Sequence, residues 1–335
     1  MCCLTSDATL GGMGIVNLKI YKIKSDTIEI NCTVQNGLID HHTHIFSQEV
    51  SNYLINNIDG LSSLPDLGPE EFMKVIEQDH VEQATVLSNA YFFTDNFNAL
   101  QSENDRVAEV VRQHPEKLVG FFSINPLTDS AFSEMDRNAG KEQFAGLKLH
   151  LANSEVDFQN PAHVKRLGDI FKKANELNLG IVIHMRTQAQ PYGQEETRIF
   201  VDNVLSKALE IPIVIAHMAG WGGYDSATDD ALSVFSDLAS NDDLRDGIYF
   251  DLSAVIRPVR SSRQENKDKT PEWYPEERYH RLVKQIKTVG IDRILFGTDW
   301  PEWTPQNYAS DIIENLPLTC DEHQKIFSNR APWFN

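Results

Sequence analysis

Short apolar stretches recur along the chain, separated by segments whose apolar residues have helical spacing. The stretches are too short for buried helices and are rich in Val, Ile, Leu and Phe, which is typical of strands buried on both faces. Their alternation with helices predicts parallel strands, and it favours a closed (β/α)8 TIM barrel over an open, doubly wound sheet. The predicted strands are 37–40, 83–88, 118–124, 145–151, 180–184, 211–217, 247–253 and 293–299.

The first part of the chain does not follow this pattern. Residues 1–14 have neither a basic segment nor an apolar one, and we expect a flexible leader rather than a secretory signal. Residues 15–36 alternate apolar and polar positions on both sides of a Ser-Asp pair, which predicts a β-hairpin appendage. The catalytic barrel domain is then expected to span 37–335.

Composition narrows the classes of partner and compartment. Hydrophobic residues make up 41% of the chain, which is typical of globular proteins. Its formal charge of −19 repels phosphates, so neither nucleic acid nor a membrane is an expected partner. The four cysteines form no metal-binding or disulfide-rich pattern, which favours reduced thiols and a cytoplasmic location. We expect a small-molecule substrate, and pairing of such barrels into a homodimer is a further expectation.

Most predicted strands end in a residue that binds metals or transfers protons. Because the carboxyl ends of barrel strands form one face, we expect these side chains to converge although they are far apart in sequence. A single histidine at a strand end is more often structural, but so many buried polar groups in one place need a common partner. The residues are His42, His44, Lys148, His150, His184, His217 and Asp299.

The first predicted strand carries the densest polar signal. His42 and His44 are two positions apart and therefore share the inward face, where two imidazoles can bind one metal. Asp40 shares that face one step deeper and is expected to support the ligands from behind. His41 faces the helix layer, and we interpret it as a structural histidine. Imidazole and carboxylate donors suit Zn2+ best, with Mn2+, Fe2+ or Co2+ as alternatives.

At these residues the sequence resembles a known family. The motifs "IDHHTHIF", "GLKLH", "IVIHMR", "IAHMAGWGGYD" and "ILFGTDWP" occur in the order found in the amidohydrolase superfamily. They are most similar to its amidohydrolase-related branch, which includes aminocarboxymuconate-semialdehyde decarboxylase-like enzymes and lactonases. The resemblance covers roughly residues 37–335 and includes the final "IFSNRAPWF", where Pro332 replaces a helical residue of the branch.

The resemblance implies roles for the converging residues. A divalent metal would be held by four side chains, His42, His44, His184 and Asp299. His217 would polarise the metal-bound water or act as its base, and Asp299 would also belong to the catalytic machinery. An alternative for His217 is that it orients a ligand.

The fourth strand leaves its alternatives open. In binuclear members of the superfamily a lysine on this strand is carboxylated and bridges two metals, and Lys148 stands at that place. It can instead bind a substrate carboxylate or pair with an internal acid. His150 is expected to contact the substrate or the metal.

Arg186 and Trp300 are the remaining substrate-binding candidates. Arg186 shares the inward face of His184, where a guanidinium can bind a substrate carboxylate, and the alternative is an ion pair with a loop acid. Trp300 follows Asp299 and is expected to form a pocket wall, with burial in the barrel as the alternative.

The leading functional hypothesis is metal-dependent hydrolysis of a C–O or C–N bond in a lactone, ester or amide that carries a carboxylate. The alternative is non-oxidative decarboxylation of a muconate-like or aromatic acid at the same metal. A barrel that binds a ligand without turnover is the non-enzymatic alternative.

Overall fold

The structure is a computed structural model that describes residues 37–58, 61–188, 192–256 and 275–334. The expected leader and the β-hairpin of residues 15–36 lie outside these residues, so both stay predictions.

Eight parallel strands follow one another around a nearly closed barrel, each paired with the next in sequence. This confirms the (β/α)8 prediction, because consecutive parallel pairing through all eight strands is the topology of a TIM barrel. The strands are β1 (Leu38–Thr43), β2 (Val81–Leu87), β3 (Leu118–Ser123), β4 (Phe144–His150), β5 (Gly180–His184), β6 (Ile213–Ile215), β7 (Ile248–Asp251) and β8 (Ile294–Leu295).

Ten helices accompany the strands among the described residues. Several begin at a proline, which fits the first helical turn because its missing N–H has no partner there. The helices are α1 (Gln48–Asn57), α2 (Pro69–Gln78), α3 (Phe97–Gln113), α4 (Ala131–Asn138), α5 (Pro161–Glu176), α6 (Gln194–Asn203), α7 (Ser226–Ser240), α8 (Pro275–Val289), α9 (Pro305–Asn315) and α10 (Cys320–Ser328).

Two apolar regions hold these layers together. The larger lies between the strands and the helices, and the smaller, called here the inner cluster, lies on the inward faces of the strands. Strand parity explains the inner cluster, since Val182 precedes His184 by two residues and therefore shares its face. The fully buried residues of the inner cluster are Leu87, Phe121, Val182, Val214, Leu295 and Ala331.

The end of β8 approaches β1 closely and completes the ring by backbone hydrogen bonds. The His41 N–H donates to the Phe296 carbonyl at 2.9 Å, and the Asp299 N–H donates to the His42 carbonyl at 2.8 Å. A Cβ on Gly297 would lie 2.9 Å from the His42 Cβ, so only glycine allows this approach. The glycine of the "FGTD" motif thus brings the first and last site residues together.

Two further observations concern membrane-spanning helices and the cysteines. Among the described residues, no helix is long and apolar enough to cross a membrane. Cys320, the only cysteine in the described part of the chain, takes part in a disulfide bond, which differs from the expectation of reduced thiols. The cytoplasmic location therefore stays a prediction.

Candidate metal centre

The carboxyl ends of the strands bring most of the predicted residues together. One donor atom each of His42, His217 and Asp299 lies within 4.8 Å of the others, and these three are here called the trio. The His44 Nε2 is 3.6 Å from Asp299 Oδ1, and the His184 ring centroid is 5.1 Å from that of His217. The four predicted ligands therefore lie close to one another and to His217, and their role as metal ligands stays a prediction.

Hydrogen bonds set which nitrogen of each histidine faces the site. His42 Nδ1 lies 2.8 Å from the Asp251 carboxylate, and His44 Nδ1 lies 2.9 Å from the Leu87 carbonyl. Both partners only accept, so each Nδ1 carries the proton and donates it. The unprotonated Nε2 atoms then face Asp299, at 3.5 Å from His42 and 3.6 Å from His44.

The charge state of these histidines also suits metal binding. Burial, aided by the positive charge of Lys148, lowers the pKa of both His42 and His44 to about 3. The rings are therefore neutral near pH 7, which is the form that binds a metal. In addition, the buried His184 Nδ1 has no hydrogen-bond partner among the described residues. These donors fit a divalent metal ion.

His217 lies in a turn that its own conformation makes unusual. The chain leaves β6 at Ile215, and His217 and Met218 adopt left-handed backbone angles, with φ of 55° and 52°. The predicted strand 211–217 therefore ends early. His217 Nδ1 donates to the Ser253 carbonyl at 2.8 Å, which leaves Nε2 for the centre of the site. This placement allows His217 to serve as a ligand or as a base.

The structure also shows site residues that the sequence interpretation assigned no role. Asp251, at the end of β7, is fully buried and accepts hydrogen bonds from His42 Nδ1 at 2.8 Å and from the His217 N–H at 2.9 Å. Ser253 contacts both imidazoles through its Oγ. An available signal was the aspartate at an inward position of an otherwise apolar strand, since a buried charge needs a partner.

Asp40 and His41 have the positions that the parity of β1 indicates. Asp40 accepts hydrogen bonds from the Thr298 hydroxyl at 2.7 Å and the Thr298 N–H at 3.0 Å, so it holds the backbone beside Asp299. Burial raises the pKa of Asp40 to about 7. His41 donates from Nδ1 to the Phe296 carbonyl at 3.0 Å and accepts from the Ala331 N–H at 3.1 Å. Both ring nitrogens of His41 are used, which is a structural role.

Lys148 and His150 both face the site. The Lys148 Nζ is 3.3 Å from the His42 Nε2, and burial lowers the pKa of Lys148 to about 8 although Asp251 and Asp299 oppose this. The His150 ring stacks on that of His184, with centroids 4.0 Å apart and planes 9° from parallel. The substrate-binding roles of both residues stay predictions.

Arg186 makes the ion pair, and Trp300 has the burial, that were the alternatives to substrate binding, and the substrate-binding role of Arg186 stays a prediction. The Arg186 guanidinium binds Asp225 at 2.9 Å and 3.0 Å, so it forms the ion pair with a loop acid. Trp300 is only 3% exposed and packs against Phe72, so it belongs to the barrel core and forms no pocket wall. The direct neighbour of Asp299 points away because the chain turns sharply there, with Asp299 at a φ of 60°.

Other aromatic residues form the wall instead. The Trp221 ring is 5.0 Å from His184 and is 42% exposed, so it lies where the site opens to solvent. Tyr91 is 4.8 Å from His150 and 6.4 Å from His44. These rings and the His150–His184 stack are here called the aromatic wall.

Comparison with known proteins agrees with this architecture. A family model described as Amidohydrolase matches residues 39–330. No curated protein matches the chain significantly.

Several solved structures share the fold. A 5-carboxyvanillate decarboxylase from Sphingomonas paucimobilis is 14% identical, with a TM-score of 0.56 and coverage of 89% of this chain and 98% of the other. A dihydroxybenzoic acid decarboxylase from a Polaromonas species, with bound manganese and 2-nitroresorcinol, is 17% identical, with a TM-score of 0.56 and coverage of 87% and 94%. A probable 2-pyrone-4,6-dicarboxylic acid hydrolase from Acinetobacter baumannii, with citric acid bound, is 13% identical, with a TM-score of 0.52 and coverage of 87% and 96%. At these identities the likeness shows the fold.

Proposed function

The chain belongs to the amidohydrolase family, and on this premise we propose that it is a metal-dependent enzyme that releases CO2 from a small, planar carboxylic acid. The sequence alone favours hydrolysis, with decarboxylation as the alternative. We place decarboxylation first because of the aromatic residues that lie beside the trio.

The aromatic wall beside the trio is the observation that carries this proposal. The His150 and His184 rings are stacked, and Tyr91 and Trp221 contact this stack from either side. Flat aromatic surfaces of this kind bind flat, conjugated molecules by offset stacking and edge contacts. A benzoate or muconate-like acid held there would place its carboxylate toward the neighbouring trio.

The solved structures of similar fold are consistent with this substrate class. Two of them are decarboxylases of substituted benzoic acids, and one of these carries manganese. We therefore propose Mn2+ or Zn2+ as the metal, with Mn2+ favoured by this likeness and Zn2+ by the imidazole-rich donor set. His42, His44, His184 and Asp299 would hold it, with the His217 Nε2 beside them.

The residues of the chain then have defined tasks. The metal supplies a positive charge that orients the substrate oxygens and stabilises negative charge as it develops. The bond between the ring carbon and the carboxylate breaks, its electron pair stays on the carbon, and a proton replaces the departing CO2. The free Nε2 of His217 faces the site and is placed to take a proton from solvent and to deliver it to the ring carbon. The aromatic wall positions the ring.

Hydrolysis is the second candidate, and the same free nitrogen of His217 favours it. An imidazole beside a metal can take a proton from water and so provide hydroxide near neutral pH. A hydrolase of a pyrone dicarboxylate also shares the fold.

A matched substrate panel tests the proposal. Protein loaded with Mn2+ or with Zn2+ is incubated with hydroxybenzoates and muconates labelled with 13C at the carboxylate, and with lactones of similar size. Release of 13CO2 without incorporation of 18O from labelled water into the organic product supports decarboxylation. Incorporation of 18O into the product without CO2 release would instead establish hydrolysis. The variant Asp299→Asn is the control, because turnover at the trio must disappear with it.

A further inference from the structure

The strand β7 contributes a carboxylate that contacts two histidines of the site from behind. Asp251 is fully buried, and each of its two oxygens has its own set of donors. Oδ2 accepts from the His42 Nδ1 at 2.8 Å. Oδ1 accepts from the His217 N–H at 2.9 Å and the Ser253 N–H at 3.1 Å.

The hydrogen bonds among Asp251, Ser253, His42 and His217 are consistent with one placement of the protons. The Asp251 carboxylate only accepts, so the His42 Nδ1 carries a proton. The Ser253 hydroxyl donates its one proton to Asp251 Oδ1 in a short contact. Its oxygen is then a second acceptor for the His217 Nδ1–H, at 2.9 Å, beside the Ser253 carbonyl at 2.8 Å. Both imidazoles are therefore protonated at Nδ1, and each presents an unprotonated Nε2 to the site.

The same carboxylate also holds the backbone of the turn after β6. His217 has a φ of 55°, and the next two residues are also left-handed, an arrangement that costs free energy in non-glycine residues. The bond from the His217 N–H to Asp251 Oδ1 stabilises this turn. Without the bond, only the contacts of its Nδ1 with Ser253 would direct the His217 side chain toward His42 and Asp299.

From these contacts we propose that Asp251, with Ser253 as its relay, is a positioning residue that fixes the Nδ1–H tautomer of His42 and the orientation of His217, so that both Nε2 atoms converge on the metal centre. This inference rests on the metal-dependent function proposed above. Asp251 acts through His42 and His217 and is not itself one of the three donors of the trio.

A tautomer measurement and a metal titration test the inference together. Histidine 15N labelling of the full chain gives the protonated nitrogen of His42 from its two-bond NMR correlations in the metal-free protein. We expect Nδ1–H in the wild type, and loss of this tautomer in Asp251→Asn, whose amide can offer a proton to the ring. By calorimetry, Asp251→Asn should bind Mn2+ about 10- to 100-fold more weakly than the wild type.

The control is another buried carboxylate that is remote from the site. Glu134 on α4 is 1% exposed and is bonded to Asn104, Asn138 and Arg137. Glu134→Gln should lower the unfolding temperature while leaving the His42 tautomer and Mn2+ affinity at wild-type values. If Asp251→Asn does not fold, the wild-type spectrum still decides.

The outcomes are separable. A wild-type His42 protonated at Nε2, or an Asp251→Asn variant with unchanged tautomer and Mn2+ affinity, would overturn the inference. A wild type that carries the Nδ1–H tautomer but binds no metal would uphold the role of Asp251 and refute the proposed function.

Discussion

The interior of the barrel has two ends that differ in chemistry although the same strands build both. The inner cluster, which includes Val182 and Val214, is apolar, and on β5 it lies nearer the amino end than His184 does. Toward the carboxyl ends lies the metal centre, where His184 follows Val182 by two residues on the same strand face. Two positions along β5 thus separate Val182, an inward side chain that packs in the inner cluster, from His184, an inward side chain of the metal centre.

The two ends also differ in how their free energies arise. The inner cluster gains stability from burial of apolar surface and needs no partner. The metal centre buries several imidazoles and carboxylates, which is costly unless hydrogen bonds or a metal compensate. The His184 Nδ1 has no hydrogen-bond partner in the described part of the chain, so compensation within that part is incomplete. We therefore expect substitutions in the inner cluster to affect mainly stability. Substitutions at the metal centre should affect mainly metal binding.

The largest effect should come from placing a charge in the inner cluster. Val214 is 0% exposed and is paired in register with Val182 and Tyr249. Val214→Asp buries a carboxylate among uncharged side chains at a cost of several kcal/mol, comparable with a domain stability of about 5–15 kcal/mol. We expect no folded protein by circular dichroism. Val214→Ala is the control and should remain folded; a cooperative melt for Val214→Asp near wild type would contradict this account.

Two tryptophans extend the comparison from the core to the opening of the site. Trp300→Ala should lower the free energy of unfolding by about 3–5 kcal/mol, because it removes a buried ring that packs against Phe72. Trp221→Ala should change stability little, since its ring is 42% exposed, but should raise KM for a planar substrate. Urea denaturation and steady-state kinetics on both variants check this pair. Equal stability losses would remove the distinction between core and wall.

The fold is predictable from the sequence because apolar stretches and helical spacing depend on local pattern alone. Strand parity predicts that His42 and His44 face the interior of the barrel. The strand ends also place His184, His217 and Asp299 on the same face of the barrel. Sequence reasoning failed where the chain leaves regular geometry. Trp300 follows Asp299 in sequence, yet the left-handed φ of Asp299 at 60° directs the tryptophan into the core.

Asp251 was missed for a different reason. Its strand was recognised, but an aspartate among apolar residues gives no indication of which side chain it contacts across the barrel. The partner, His42, lies 209 positions away, and only the closed barrel brings the two together. Contacts of this range are not encoded in local periodicity.

Acid should destabilise the metal-free protein through the β1 histidines, whereas the inner cluster has nothing to titrate. Burial lowers the pKa of His41 to about 4 and of His42 and His44 to about 3. Between these values and the usual 6.5, the unfolded chain binds more protons, so stability falls as pH falls. Asp40, with a pKa raised to about 7, opposes this trend but is one group against three.

We expect the free energy of unfolding to decrease by a few kcal/mol between pH 7 and pH 5, on the order of 1 kcal/mol per group and pH unit. Urea titrations across this range measure it. Val214→Ala should shift the whole curve without changing its slope. A stability that is flat or that increases toward pH 5 would show that these histidines are charged in the folded state.

The smallest effect on stability should come from removing an imidazole whose Nδ1 has no hydrogen-bond partner among the described residues. His184→Leu in the metal-free protein should change the free energy of unfolding by less than about 1 kcal/mol, because the leucine removes a buried nitrogen without a hydrogen bond. By comparison, His41→Leu removes two hydrogen bonds and should cost about 1–3 kcal/mol. Thermal melts after chelation give both values. A large loss for His184→Leu would indicate a structural role.

The metal content of the purified protein tests the central claim most directly. Elemental analysis after reconstitution with Mn2+ or Zn2+ and desalting should give about one ion per chain, removed by chelation and absent from Asp299→Ala. About two ions per chain would assign the second to a carboxylated Lys148. A wild-type protein that retains neither metal, or an Asp299→Ala variant that retains as much as the wild type, would contradict the assignment of His42, His217 and Asp299 as a metal centre.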